Sequence, residues 1–316
     1  MKIERITPVD IDGKQAVIHA RYVAEEYSGK RAVKAKYMGG GSFGRAVAVT
    51  LEDGYSFVVK LLCASGMLEK ETHDLRLLSF RCPVKMPKPL FVREADEKVI
   101  VDCYGMDKID GGSAIFSRKL LLGSKRRREE FADKVTDALH EIHQCTSDKY
   151  GDTLSPDCNT WLDYYKPFAA AVLERAEEMY SNQELPQEII KVMRAAWDKF
   201  DNIFCEEVSE ACLIHGDLNV ANIMVNKGRL SGFIDPLNSM YADREYDLFQ
   251  FDNLLKKRFN LRYVYMKKYG ASANCDYKCA FYGLWNEVYC YIKSGMLVKM
   301  IMNPLIDNMY AMLARL

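Results

Sequence analysis

Ile214-His215-Gly216-Asp217-Leu218-Asn219-Val220-Ala221-Asn222-Ile223, followed thirteen residues after Asn222 by Asp235 in Gly232-Phe233-Ile234-Asp235-Pro236, decides how this 316-residue chain is read. A carboxylate, a nearby amide and a second carboxylate are the polar groups that phosphoryl transfer requires. One carboxylate orients an acceptor hydroxyl and takes its proton; two oxygen ligands hold Mg²⁺ against nucleotide phosphates. On this reading Asp217 is the base, and Asn222 and Asp235 are the metal ligands. Strand-like Asn222–Val225 and Ser231–Ile234 flank the turn Asn226-Lys227-Gly228. Such a hairpin would bring Asp235 back beside Asn222.

Upstream, Gly39-Gly40-Gly41-Ser42-Phe43-Gly44 fits G-x-G-x-x-G. A dinucleotide-binding loop would open a helix, whereas Arg45–Leu51 alternates like a strand. A Walker A loop is excluded because Arg45-Ala46 follows Gly44. What remains is a flap between two strands, with Gly39, Gly41, Ser42, Phe43 and Gly44 covering nucleotide phosphates through backbone N–H groups. The next strand carries Lys60 inside Phe57-Val58-Val59-Lys60-Leu61-Leu62, where an ammonium needs an anionic partner. Leu68, Glu71, Leu75 and Leu78 form one helical stripe. Glu71 is therefore expected to face the sheet, pair with Lys60 and aim it at the phosphates.

Two textures divide the chain. Alternating β-branched residues run from about Val33 to Val101, including Leu90-Phe91-Val92 and Val99-Ile100-Val101. Helical periodicity then covers Arg128–Gln144, Trp161–Tyr180 and Gln187–Phe204. The expected fold is α+β and bilobal, with a small N-lobe (1–104) of antiparallel sheet plus helix that binds nucleotide. The larger, mainly helical C-lobe (105–316) carries the β-hairpin catalytic island and the acceptor site.

The combination of His-Gly-Asp-x-x-x-x-Asn, Ile234-Asp235 and Tyr246-Asp247-Leu248 resembles the aminoglycoside phosphotransferase and choline kinase superfamily, relatives of protein kinases. With the glycine loop, Lys60, Glu71 and Ala138–His143, the resemblance spans roughly residues 35 to 250. It implies a protein-kinase-like fold with ATP, or GTP, in the interlobe cleft. It also implies adenine held by linker backbone near Asp102, Cys103, Tyr104 and Gly105, and structural roles for His215 and Asp247. Asp235-Pro236 and Tyr241–Leu248 are similar to fructosamine kinases, although Ala242 stands where glycine is usual. The implied acceptor is a small-molecule hydroxyl, with amino sugars, aminoglycosides and fructosamine-type compounds leading. Choline-, ethanolamine- or homoserine-like metabolites remain alternatives, as does a non-catalytic nucleotide-binding pseudokinase.

Composition sets the bounds. Forty-four Lys+Arg balance forty-four Asp+Glu, 49% of residues are hydrophobic and no apolar run reaches membrane-spanning length. The expectation is a cytoplasmic globular enzyme with no nucleic-acid or membrane partner, and Lys125–Arg128 is read as a solvated helix entrance. Ten scattered cysteines form no Cys-x-x-Cys pair and read as reduced thiols. His140-Glu141-Ile142-His143 is one residue short of a zinc-protease motif and reads as a packed helix. Eleven residues between Asp235 and Asp247 leave little room for a peptide-docking activation segment. Residues 151–210 hold thirteen acidic and five basic side chains, which favours a cationic acceptor if these helices line its site and otherwise marks the wet faces of amphipathic helices. Trp161, Tyr164, Tyr165 and Trp285 are aromatics that could stack a sugar or cage a cation, with most of them expected in the core.

Overall fold

The computed structural model describes residues 2–316. In the N-lobe, α1 (Gly13–Ser28) starts at a capping box: Asp12 accepts from the amides of Lys14 and Gln15, and the Gln15 side chain reaches back to the Asp12 amide. Its Ala16, Ala20, Val23 and Ala24 stripe is buried on the sheet. Strands β1 (Ala32–Gly40), β2 (Gly44–Leu51) and β3 (Ser56–Leu62) follow. Next come α2 (Leu68–Arg81), β4 (Pro89–Arg93) and β5 (Cys103–Asp107), giving a five-stranded antiparallel sheet in the order β1-β2-β3-β5-β4. Glu71, Leu75 and Leu78 lie on the buried face of α2, as the periodicity requires.

Val99–Val101 does not form the expected strand. Val99 and Val101 are 0% and 3% exposed and plug the sheet's apolar cluster, but their alternation is satisfied by side-chain burial without strand pairing. The strand is β5, whose Cys103, Tyr104 and Gly105 pair with β3 on one side and β4 on the other. A linker at Asp102–Gly105 is thereby corrected, because its backbone groups are already committed to the sheet. The chain leaves the sheet after Asp107, so the N-lobe sheet runs past residue 104.

The C-lobe begins with β6 (Gly112–Ser113), a short turn of helix at Ala114–Phe116, α3 (Arg118–Leu121) and α4 (Lys125–His143). Then follow β7 (Thr146–Ser147), β8 (Gly151–Asp152), α5 (Trp161–Ser181), α6 (Gln187–Trp197), α7 (Phe200–Ile203) and β9 (Ala211–Leu213). The hairpin β10 (Ile223–Asn226) and β11 (Arg229–Phe233) pairs with β6, and β12 (Met240–Ala242) joins β7, β8 and β9. Short helices α8 (Glu245–Leu248), α9 (Gln250–Asn253) and α10 (Lys256–Phe259) lead to α11 (Leu261–Tyr269), α12 (Cys275–Ser294) and α13 (Lys299–Leu313). Trp161, Tyr165 and Trp285 are at most 1% exposed and belong to the core, where Phe281 stacks on Trp285 with ring centroids 3.7 Å apart. Among the described residues, no helix is long and apolar enough to cross a membrane.

A buried ionic cluster fixes the start of α8. Lys278 Nζ lies 2.8 Å from Asp243 and 2.7 Å from Glu245, all three residues at most 3% exposed. The Tyr282 hydroxyl donates to Asp243, and the Ser272 amide and hydroxyl donate to Glu245. Burying three charges is tolerable only because each has several partners. The result is a rigid mount for Asp247, one turn further along α8.

Candidate active site

Gly41–Phe43 connects β1 to β2 as an exposed flap. Arg45 donates to the carbonyls of Gly41 and Gly44 and to that of Ile11, which ties the flap's acceptors to the lobe. A Cβ on Gly44 would sit 3.0 Å from Lys60 Cε, so the glycine makes room for the lysine to pass beneath. Lys60 Nζ lies 2.8 Å from Glu71 Oε2 and 2.7 Å from Asp235 Oδ1. The expected Lys60–Glu71 pair is present, and Tyr104, which sequence reasoning placed on the linker, donates its hydroxyl to Glu71 at 2.9 Å. Asp102 instead accepts from the Ala95 amide.

The hairpin returns Asp235 as its turn predicts. Lys227 and Gly228 have φ of 53° and 83°, the left-handed pair of a two-residue hairpin loop, and the Ile234 amide donates to the Asn222 carbonyl at 3.0 Å. Asn222 Nδ2 donates to both the carbonyl and Oδ2 of Asp217 at 2.8 Å. Asn219 Nδ2 donates to Asp217 Oδ1 at 2.9 Å, which orients the whole carboxylate. With its side-chain Nδ2 committed to Asp217, Asn222 turns its side-chain Oδ1 away from that residue.

Beneath this loop, Asp247 accepts from the amides of His215 and Gly216 at 2.8 and 2.7 Å and from His143 at 3.1 Å. His143 in turn meets the Tyr265 hydroxyl, and His140 stacks on Tyr269. The two histidines of the near-motif are therefore packing groups, and among the described residues no three His, Cys, Asp or Glu side chains gather as a metal cluster. Gly216 has φ of 82°, and a Cβ there would meet the Leu237 carbonyl at 2.2 Å. Only glycine fits where the two loops touch.

Burial pushes the Asp217 carboxyl up to about 7, with Asp235 adding to the effect. Lys60 pulls Asp235 the other way and holds it below the usual carboxylate range. Burial lowers His215 to about 4, leaving it neutral. Desolvation alone would lower Lys60, but Tyr104, Asp235 and Glu71 outweigh it and raise the ammonium well above its ordinary value. Two aspartates with separated titrations, one lysine and an amide oxygen thus share one cleft.

Beside them lies a cavity of about 310 Å³ between α2, α5, α12 and the segment after Asp235, walled by Tyr164, Phe168, Tyr289, Leu237, Asn238 and Asp152. Tyr164 is the one offered aromatic, among the four, that both lines this cavity and stays outside the buried core. At its edge Lys70 crosses from one lobe to the other. Its Nζ bonds both oxygens of Asp74 at 2.7 and 2.6 Å, Thr153 Oγ1 at 2.9 Å and the Ser239 carbonyl at 2.6 Å. Sequence reasoning missed this lysine because its partners lie up to 169 residues away.

Residues 34–265 match the phosphotransferase enzyme family, and the chain belongs to that family. It is a phosphotransferase. No curated protein sequence matches it significantly. Similar solved structures include a protein assigned as fructosamine-3-kinase from Thermobifida fusca YX-ER1, at TM-score 0.65 and 19% identity, covering 94% of this chain and 98% of that one. A thermostable variant of aminoglycoside phosphotransferase APH(4)-Ia, in ternary complex with ADP and hygromycin B, reaches TM-score 0.67 at 15% identity, covering 93% and 97%. Macrolide 2'-phosphotransferase type I reaches 0.63 at 16% identity, covering 96% and 99%. The bilobal kinase-like fold is shared with all three.

Proposed function

We propose that this phosphotransferase transfers the γ-phosphate of ATP, or GTP, to a hydroxyl of a small amine-bearing acceptor such as an amino sugar, aminoglycoside or fructosamine-type compound. The observation that carries the reading is the meeting of Lys60, paired with Glu71, with Asp235, while Asn222 binds Asp217. Hard oxygen donors suit Mg²⁺: Asp235 is held ionised by Lys60, and the side-chain oxygen Oδ1 of Asn222 is left free while its Nδ2 bonds Asp217. These two residues would hold the metal, whose chemistry is to neutralise charge on the nucleotide phosphates.

Lys60 draws on the phosphates from above, under the flap of Gly39, Gly41, Ser42, Phe43 and Gly44. Asp217, fixed by Asn219 and Asn222, aligns the acceptor hydroxyl for in-line attack and takes its proton. The nucleotide base would lie against backbone after β5, from Asp107 onward. The cavity walled by Tyr164, Phe168 and Tyr289, with Asp152 at its edge, supports an acceptor that combines an apolar or sugar face with an amine. The aminoglycoside phosphotransferase APH(4)-Ia in complex with ADP and hygromycin B has the same fold, which supports a nucleotide and an aminoglycoside-like acceptor here.

ADP release by the purified protein with Mg²⁺-ATP or Mg²⁺-GTP, across aminoglycosides, fructosamines, choline, ethanolamine and homoserine, tests the reading, with Asp217→Asn as the blank. Acceptor-dependent release absent from the variant is expected. Absence of Mg²⁺-dependent nucleotide binding by the parent protein would overturn it.

A further inference from the structure

The chain has no net charge, yet three distant segments converge into one strongly basic surface. Residues 116–130, 226–230 and 252–258 carry eleven basic and three acidic side chains. The Arg258 guanidinium donates to the Leu121 carbonyl, the Arg127 guanidinium donates to the Lys119 carbonyl, and a Cβ on Gly228 would lie 3.5 Å from Lys119 Cβ. Phe131 and Phe259, with ring centroids 5.1 Å apart, pack α4 against α10 beneath the patch. The three acids are taken up locally: Glu129 by Lys125, Glu130 by Arg126, and Asp252 by Lys256 and Arg262. Asp133 and Asp137, further along α4, are occupied by Lys268. Eight of the eleven cations have no carboxylate partner among the described residues.

Two large apolar side chains stand out among these cations. Phe116 is 81% exposed and Leu122 80%, at either end of α3. Exposed Lys and Arg around protruding apolar side chains are the features of a protein that lies on a bilayer: cations meet anionic headgroups, and apolar tips enter the acyl boundary. A nucleic-acid backbone would engage the cations but give Leu122 nothing to bury against. None of the site residues belongs to this surface.

We propose that this face docks the enzyme on membranes containing anionic lipid. The test is vesicle co-sedimentation of the full chain with phosphatidylcholine alone or mixed with phosphatidylglycerol, at low and high salt, beside a single-stranded RNA binding assay. Binding to the anionic vesicles only, weakened by salt, is expected. Each cation at an anionic surface strengthens binding by about fivefold. Arg118→Glu with Lys119→Glu, whose side chains have no hydrogen-bond partner among the described residues, should therefore weaken it at least tenfold. Lys227→Glu with Lys257→Glu is the second charge pair should the first misfold. Phe116→Ser with Leu122→Ser should weaken vesicle binding several-fold without loss of ADP-forming activity in solution. Unchanged vesicle binding in these variants overturns the proposal. So does binding to RNA but not vesicles, which would assign the patch to nucleic acid.

Discussion

The Tyr104 hydroxyl and the Glu71 carboxylate meet at 2.9 Å inside the N-lobe, on the same oxygen that Lys60 approaches at 2.8 Å. A buried carboxylate with two donors is held in one orientation, and that orientation sets where Lys60 points. Tyr104→Phe removes one donor and should lower stability by about 1–2 kcal/mol, with a modest rise in nucleotide KM. Glu71→Gln should raise nucleotide KM further, by roughly tenfold, since the charge that steers Lys60 is gone. Thermal unfolding and steady-state kinetics separate the two. An unchanged KM in Glu71→Gln would count against the steering role.

Asp217→Asn keeps the shape of the site and removes the carboxylate proposed as the proton acceptor. kcat should fall by about 10²–10⁴-fold, while nucleotide affinity stays within a few-fold, because the phosphates are assigned to Lys60 and the glycine flap. Equal loss of nucleotide binding in the folded variant, measured by calorimetry, would remove Asp217 from the role of base.

The same residue predicts a pH dependence. In the metal-free, nucleotide-free chain, burial raises Asp217 to about 7, whereas an unfolded aspartate ionises near 4. Between these values the folded state binds the proton and the unfolded state does not, so this group stabilises the fold as pH falls from about 8 to about 5. Asp217→Asn, always neutral, should be the more stable protein, by about 4 kcal/mol at pH about 8, narrowing to about 1–2 kcal/mol at pH about 5. Urea unfolding of both proteins at the two pH values checks the sign. Turnover by the parent enzyme should fall on the acid side of neutrality.

Lys278→Met would leave Asp243 and Glu245 buried without their shared cation. Breaking such a cluster from one side costs about 3–5 kcal/mol. Because the cluster mounts α8, which carries Asp247, the loss should also loosen the amides of His215 and Gly216. Hydrogen exchange at those two amides, together with a lowered Tm, is the expected signature. A melting temperature equal to the parent's would show the network to be dispensable.

What the sequence made legible was local or periodic. Asp217, Asn222 and Asp235 could be read because the turn Asn226–Gly228 folds the chain back on itself within a few residues. Glu71 could be read because one helical stripe has a charged member. Helix α1 carries a faint local signal: Asp12 and Gln15 form a capping box, but its buried stripe is small residues, mainly alanine, and stands out little from the polar positions. The end of the N-lobe sheet was misplaced because Val99–Val101 alternates better than Cys103–Asp107 does. Lys70, Lys278 and the basic face were illegible for one reason. Each gains its meaning from partners distant in the chain, and a lysine in isolation reads as solvated surface.

The bridge made by Lys70 bears on how the two lobes are held together. Many protein kinases hold the glutamate helix out of place until a phosphate on the activation segment draws it in. Here the chain supplies the equivalent fastening itself, from α2 through Lys70 to Ser239, whose hydroxyl reaches the His215 carbonyl at 2.9 Å. The helix that carries Glu71 is thus tied to the loop that carries His215 and Asp217 by unmodified side chains of the chain itself.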